Sequence, residues 1–469
     1  MTANSNKGNP VLRSFILLAT LASFSVVAHA NPEERLAQAV QIPTISHQDP
    51  ELVDREAFDA FKQFLESTYP RVFSELVAEW VNEYSLLLVW PGVGSGAILF
   101  TAHHDVVPIE PGTEQDWTHP PFAGVIADGR VYGRGTVDDK LGVISLLEAV
   151  DRLLQEGYAP RKTIVLAFGH DEEVSGRNGA AALSARMQAL GLEFDWMVDE
   201  GGYLLTGNPM LPDNTMAMIN IAEKGYTTLT LTAKGEGGHS SSPPAVSTIG
   251  RLARALDKLE QNPFPPRLSG PVKEMLVALA PHMGQPEQLM FSNLWLTDKM
   301  IAGRMAEDRL TAPMVRTTTA LTMFNAGIKE NVVPQRAEAK VNFRLLPGDT
   351  VDSVIRYVRD VIDDDQIDIA SSPWSGMPGT ANTEGAGYQA ITRAVADVYP
   401  EAIPVPSLLM ATTDTRHYIE LAKDQYRFHG AVIDYTQASG IHGTDEWVGV
   451  ESFRKSIDVA TGMMRYGSE

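Results

Sequence analysis

Five short segments of this sequence gather the side chains that could do chemistry. His103-His104-Asp105 follows an apolar run. In a strand, residues i and i+2 share a face, so His103 and Asp105 point the same way. A carboxylate behind an imidazole fixes its tautomer and is a common metal-ligand arrangement; a hydrogen-bonded turn is the alternative. Gly133-Arg134-Gly135-Thr136-Val137-Asp138-Asp139-Lys140 sets two carboxylates behind a glycine-flanked arginine. That acidic pair argues against a phosphate loop and leaves a carboxylate site or a solvated turn. Asp171-Glu172-Glu173 stands directly after the apolar run 163–168. Three adjacent carboxylates repel one another and call for a compensating charge, and a metal ion is the densest one available. Asp199-Glu200-Gly201-Gly202 closes another apolar run, and Gly440-Ile441-His442-Gly443-Thr444-Asp445-Glu446 adds a late histidine in a glycine-flanked loop. Oxygen and imidazole donors without thiolate suit two zinc ions, with manganese or cobalt as alternatives.

The elements that must position these groups follow from hydrophobic periodicity. Residues 53–69, 141–154, 179–190, 351–362 and 388–398 have helical spacing. Residues 85–90, 97–103, 163–168 and 194–198 are short apolar runs that read as buried strands. Strands alternating with helices predict an α/β fold, a mainly parallel sheet flanked by helices. The carboxylate and histidine clusters of the first half all fall at the C-terminal ends of these strands, where open α/β sheets place their sites. Residues 227–233 and 337–344 alternate with period two instead, as half-buried antiparallel strands do. This predicts a second α+β domain, 222–373, inserted between two parts of the first, 31–221 and 374–469. The Met-rich stretch 275–313 is expected to be helical core, with an acyl-binding groove as the other reading.

The 469 residues carry 38 Lys+Arg against 59 Asp+Glu, a formal net charge of −21, and no cysteine. Such an acidic chain does not suit nucleic acid, whose phosphates need a basic face, and disulfide or thiol chemistry is excluded. Lys7 and Arg13, the apolar stretch 15–27 and Ala28-His29-Ala30 read as a signal peptide over residues 1–30, with cleavage near Asn31. The expected address is periplasmic or secreted, with no membrane attachment after cleavage. Among the other histidines, His104 and His170 adjoin the motifs and His417 sits beside Arg416. His47, His119, His282 and His429 have no carboxylate nearby in sequence and read as ordinary surface or core residues.

HHDVVP, GRGTVDDK, HDEEVSG, VDEGG, KGEGGHSS, TDTRHY and GIHGTDE, in this order, resemble the motifs of the co-catalytic zinc metallopeptidase family that includes carboxypeptidase S, Gly-Xaa carboxypeptidase, glutamate carboxypeptidase and aminoacylase. The resemblance runs from about 32 to 465 and looks closest to the carboxypeptidase S branch, which also holds N-fatty-acyl amino acid hydrolases. It implies a phosphorylase/hydrolase-like catalytic domain, an inserted dimerisation (lid) domain and a homodimer. It implies that His103, Asp138, Glu173, Asp199 and His442 bind two metal ions, with Asp138 between them, Asp139 supporting it and Glu200 a less favoured ligand than Asp199. Asp105 would orient His103, and Glu172 would be the general base. His239 would reach a partner subunit's site and steady the oxyanion. Arg416 and Asn331, and more weakly Arg344, would hold the substrate's carboxylate or reacting carbonyl. The implied activity is carboxypeptidase action on short peptides; alternatives are an N-acyl-amino-acid hydrolase and a non-catalytic peptide-binding protein. Ala411-Thr412-Thr413-Asp414 departs from the Gly-Gly-Thr-Asp turn of many relatives.

Overall fold

Four strands, Thr163–Gly169, Ala97–His103, Phe194–Asp199 and Ala422–Arg427, lie side by side and parallel at the centre of a ten-stranded mixed sheet. The structure, a computed structural model, describes residues 30–372 and 377–469. The signal peptide read from the sequence therefore lies, but for Ala30, outside the described residues, as does the expected boundary at 373/374. Antiparallel strands Ser85–Trp90 and Val77–Val81 extend one edge. At the other, Met216–Glu223 pairs with Ala422–Arg427 in antiparallel fashion and with Ile403–Leu409 in parallel fashion.

The first three of these strands are largely apolar on both faces because both are covered. Ile98, Phe100, Ile164, Leu166 and Trp196 pack with residues of the helices Lys140–Gln155, Ala386–Val398 and Val450–Gly467, such as Ile144, Leu147, Ile391 and Val459. Leu99, Val165 and Met197 point the other way, onto Leu183 and Met187 of the helix Ala180–Ala189. The predicted strands and helices are found with ends shifted by no more than a few residues.

Residues 32–469 form one compact unit by contacts. Within it the period-two segments build a separate four-stranded antiparallel sheet, ordered Thr318–Ala326, Arg336–Leu345, Gly225–Lys234, Ile367–Ser371. Leu229, Leu231, Val341 and Phe343 face Leu252, Leu256, Val354 and Val358 of the helices Thr248–Gln261 and Val351–Ile362. The strand Met216–Glu223 still belongs to the large sheet, so the change of sheet comes at Lys224, slightly later than the sequence pattern suggested. Lys224 is buried there and donates to the carbonyls of Pro313 (2.8 Å) and Arg316 (2.9 Å). The Met-rich stretch is helical as expected, and Met275, Leu276 and Ile301 join the core against Val405 and Leu408.

Inside the large sheet Glu223 and Arg427 form a fully buried ion pair, Nε to Oε2 3.1 Å. Glu223 Oε2 also accepts from the Thr413 backbone N–H (3.2 Å) and the Thr415 hydroxyl (2.9 Å). The pair thereby fixes the loop that carries Asp414 and Arg416. A buried charge left without its partner is costly, so Arg427→Met is expected to lower stability by about 3–5 kcal/mol in denaturant unfolding; a loss below about 1 kcal/mol would show that the pair does not hold this junction.

Candidate metal centre

The C-terminal ends of the parallel strands deliver the clustered side chains to one place. His103 closes its strand and is buried. Its Nδ1 lies 3.0 Å from the Asp105 carbonyl and 3.3 Å from the Asp105 carboxylate, the arrangement the i, i+2 spacing predicts. Its Nε2 lies 3.0 Å from Asp138 Oδ1 and 3.4 Å from Glu200 Oε1. The other carboxylate oxygen of Asp138 is 2.9 Å from His442 Nε2, which is also 3.1 Å from Glu173 Oε1. Asp138 thus stands between two groups of donors, His103–Asp138–Glu200 and Asp138–Glu173–His442, whose ligand atoms in each case lie within 4.8 Å of one another.

The resemblance favours Asp199 over Glu200 as a ligand. The structure brings Glu200 to His103 and Asp138, whereas Asp199 is in neither group. The reason is geometric: Asp199 is the last residue of its strand, and successive side chains of a strand point to opposite faces.

Three clamps hold the donors. Asp105, fully buried, accepts the backbone N–H groups of Glu172 (3.1 Å) and Glu173 (3.2 Å) with its two oxygens. Asp171 ties the far side of that loop by accepting from the Asn178 and Gly179 N–H groups, at 2.8 and 2.7 Å. Buried Glu446 accepts from the Gly135 (3.0 Å), Val137 (2.8 Å) and Asp138 (3.2 Å) N–H groups and pairs with Arg134 at 2.7 Å. Arg134 in turn donates to the carbonyls of His442 (3.1 Å) and Gly443 (3.0 Å), so one ion pair joins the loop of Asp138 to the loop of His442.

Asp139 is buried behind Asp138. It caps the helix Lys140–Gln155 by accepting from the Gly142 N–H at 3.1 Å, and accepts the His103 N–H at 3.3 Å. Its Oδ1 lies 2.8 Å from Nε2 of His429, a residue that nothing local in the sequence singles out. Asp139, Glu200 and His429 make a third close group behind the first. His104 is core rather than support for the site. Its ring stacks on Phe61 with centroids 4.8 Å apart, its Nε2 donates to the Tyr84 carbonyl, and burial pulls its pKa down to about 3.

The electrostatics show what the cluster lacks. Burial, then the charges of Asp138 and of the other carboxylates, push Glu173 up to about 7 and Glu200 well above the ordinary range. Burial and the Asp414 charge do the same to Glu172. Hydrogen bonds to Asp138 and Glu173 raise His442 to about 10. The cluster holds more negative charge than its own imidazoles can offset, and its donors are oxygen and imidazole nitrogen. Both properties fit divalent cations of the zinc class.

A cleft of about 710 Å³ opens onto the cluster; Glu172, Glu173 and His442 line it, together with Tyr226, Arg344 and Arg416. Arg416 donates to the Thr413 carbonyl at 2.8 Å, and its Nη1 is 3.9 Å from Glu172 Oε1. Arg344 reaches over from the antiparallel sheet, stacks on Tyr226 and donates to the Thr412 hydroxyl at 2.8 Å. His47, which looked ordinary in sequence, lines the same cleft. Residues 275–313 contribute nothing to its lining. His239 and Asn331 meet elsewhere, on the exposed ribbon of Gly238–His239 and Val332–Val333, where the Ser240 N–H donates to the Asn331 carbonyl.

Comparison with known proteins agrees with this geometry. The family model described as peptidase family M20/M25/M40 matches residues 99–466. The chain is 37% identical over 446 residues to the N-fatty-acyl-amino acid synthase/hydrolase PM20D1 of Bos taurus, covering 93% of this chain and 88% of that protein. It is 35% identical over 444 residues to the probable carboxypeptidase S-like 2 of Dictyostelium discoideum, covering 93% and 85%. Its fold is similar to that of the M20 family metallo-carboxypeptidase Sso-CP2 from Sulfolobus solfataricus, with a TM-score of 0.69 at 19% identity, over 94% of this chain and 99% of that one.

Groups that orient a metal site from behind typically change metal affinity about 10–100-fold when removed. His429→Ala is therefore expected to weaken metal retention by about that factor in competition against a chelator. Unchanged affinity would make the pair with Asp139 a matter of core packing alone.

Proposed function

The chain belongs to the M20 peptidase family, and from that premise we propose that it is a zinc-dependent carboxypeptidase cleaving the amide bond of short peptides with a free C-terminal carboxylate. The observation that carries this reading is the single cleft lined by Glu173 and His442 of the ligand groups, by Glu172, and by the two arginines Arg344 and Arg416. His103, Asp138 and Glu200 would hold one ion, and Asp138, Glu173 and His442 the other; Glu200 takes the place first given to Asp199. Bound there, two divalent ions supply Lewis acidity that polarises the scissile carbonyl and makes water a nucleophile at neutral pH.

The chain's own residues do the rest. Glu172 takes the proton of the attacking water and returns it to the leaving amine. Asp105 keeps Glu172 in place through its backbone N–H. Arg416, close to Glu172, holds the substrate carboxylate in a two-pronged contact, with Arg344 adding charge from the facing sheet. This puts the scissile bond within reach of the base. That Glu172 accompanies every ligand argues against a binding protein without activity.

A second reading keeps the same chemistry and replaces the peptide with an N-acyl amino acid. It is favoured by the relative at 37% identity that is named an N-fatty-acyl-amino acid synthase/hydrolase. The motif over residues 1–30 supports export to the periplasm or beyond, and among the described residues no helix is long and apolar enough to cross a membrane.

His239 and Asn331 stand apart from the cleft lining, and this supports their acting in a partner subunit's site, His239 as donor to the developing oxyanion. The strand Thr318–Ala326 is one of the two outer strands of its sheet, and Met323, Phe324 and Ile328 are exposed on and beside it. An apolar open edge invites pairing with a second copy.

Two outcomes are expected. Glu172→Gln should lower kcat by about 10²–10⁴-fold while elemental analysis still finds the wild-type metal content; full activity would refute the base. Sedimentation should give a dimer, and His239→Ala should lower kcat without changing the sedimentation coefficient. A fully active monomer would remove His239 from the site.

A further inference from the structure

One short turn of the chain grips the loop of Glu172. The turn is Asp414–His417, and Thr413 caps it by accepting the Thr415 N–H on its hydroxyl at 3.3 Å. It meets the segment Glu172–Val174 and the two residues after it, Ser175 and Gly176, whose φ values are 100° and 63°. Three side chains of the turn touch this loop. Asp414 is buried and seated on Gly176, where a Cβ would stand 2.1 Å from its Oδ1. Arg416 brings Nη1 to 3.9 Å from Glu172 Oε1. His417 donates from Nε2 to the Ser175 carbonyl at 2.9 Å. A carbonyl only accepts, so this contact places a proton on Nε2. Burial, then the Arg416 charge, pulls the ring down to about 4, so it donates as a neutral group.

Each side of this contact is anchored separately. The turn is tied into the sheet, with Thr415 Oγ1 2.9 Å from Glu223 Oε2 and 2.6 Å from Arg427 Nη2. The loop is held by Asp105 through the Glu172 and Glu173 N–H groups. Between the two, Asp414 against Gly176 resists approach and the hydrogen bond of His417 resists separation. Their spacing bears on the substrate. Glu172 serves the amine nitrogen of the leaving part and Arg416 serves its carboxylate. In an α-amino acid one carbon separates these ends, and nitrogen and carboxyl carbon are about 2.5 Å apart. Side chains 3.9 Å apart can each meet one end of so short a unit. An added methylene moves the carboxylate away by about 1 Å, and a misplacement of that size costs about 100-fold in rate.

We propose that His417 is a positioning residue that holds Arg416 in register with Glu172 and thereby restricts the leaving group to amino acids with an α-carboxylate. The proposal rests on the reading above of Glu172 as base and Arg416 as holder of the carboxylate. His417 acts through these two residues, by fixing the turn of one against the loop of the other. Its loss leaves Arg416 able to bind a carboxylate but lets the scissile bond drift from the base, so it lowers kcat rather than raising KM.

The test uses the zinc-loaded mature chain and two leaving groups, leucine and β-homoleucine, each carrying a glycyl group and, in a parallel series, a dodecanoyl group. In whichever series is cleaved, the wild type should turn over the leucine compound about 100-fold faster than its β-homoleucine counterpart. His417→Phe keeps the ring volume and removes the donor. It should lower kcat for the leucine compound about 10–100-fold, leave KM and zinc content unchanged, and narrow the preference for leucine. His417→Ala should do the same, should the larger ring not be accommodated. His417→Gln, whose amide can donate to the Ser175 carbonyl, should recover most of the rate and the preference. A wild type that cleaves both leaving groups alike would overturn the proposal, as would wild-type kcat and preference in the phenylalanine or alanine variant. An equal fall with both leaving groups, not recovered by His417→Gln, would reduce His417 to packing and overturn it too. Failure of the wild type to hydrolyse any of the compounds, with full metal content, would overturn the underlying amidohydrolase reading instead, and with it this role.

Discussion

The structure depends on one electrostatic constraint: Asp138, Glu173, Glu200 and Glu172 converge at the exit of a parallel sheet, Glu200 buried and the other three half-buried. Two like charges 4 Å apart cost about 4 kcal/mol at an effective dielectric of 20. Such a cluster can relax by binding protons or by binding cations. Without cations it binds protons, which is why Glu173 is pushed up to about 7 and Glu200 well above its ordinary range. Protons and divalent ions therefore compete for the same oxygens, and the site is strained in the direction that favours metal.

A cluster under that repulsion keeps its geometry only if each loop is held from outside. The clamps meet this need in a consistent way. Asp105 holds the Glu172–Glu173 backbone rather than its side chains, so the carboxylates remain free to face the cleft. Glu446 does the same for residues 135–138, and Arg134 carries the restraint across to the loop of His442. Glu223 and Arg427 secure the loop of Arg416 from within the sheet. The supporting charges are paired with one another and with backbone groups, which keeps their fields from adding to the crowding at the centre.

Much of the site was legible in the sequence because its carriers are local. An apolar run ending in a polar residue marks both a buried strand and the place where it delivers a side chain. His103, Asp138, Glu173 and His442 were found in this way or by resemblance to a known motif order, and the structure brings them together. The choice between Asp199 and Glu200 was not legible, because it turns on which residue ends the strand, and a shift of one residue reverses the face. His429 was missed because its partner, Asp139, is distant in the chain, and Arg134–Glu446 and Glu223–Arg427 were missed for the same reason. No local pattern marks a pair that meets only after the sheet is assembled. The change of sheet at Lys224 was placed a few residues early, since the strand before it is as apolar as a core strand and as regular as an edge one.

The global and local charges pull in opposite directions, and distance decides between them. A net charge of −21 would repel an anionic substrate if it acted as a whole. In physiological salt, however, exposed charges are screened beyond about 8 Å, so the field a substrate meets in the cleft is set by what lines it. There the cations are Arg177, Arg344 and Arg416. The carboxylates between them are the ones that divalent ions would offset. The charge of a molecule in this cleft would thus be read at short range, by the arginines that line it.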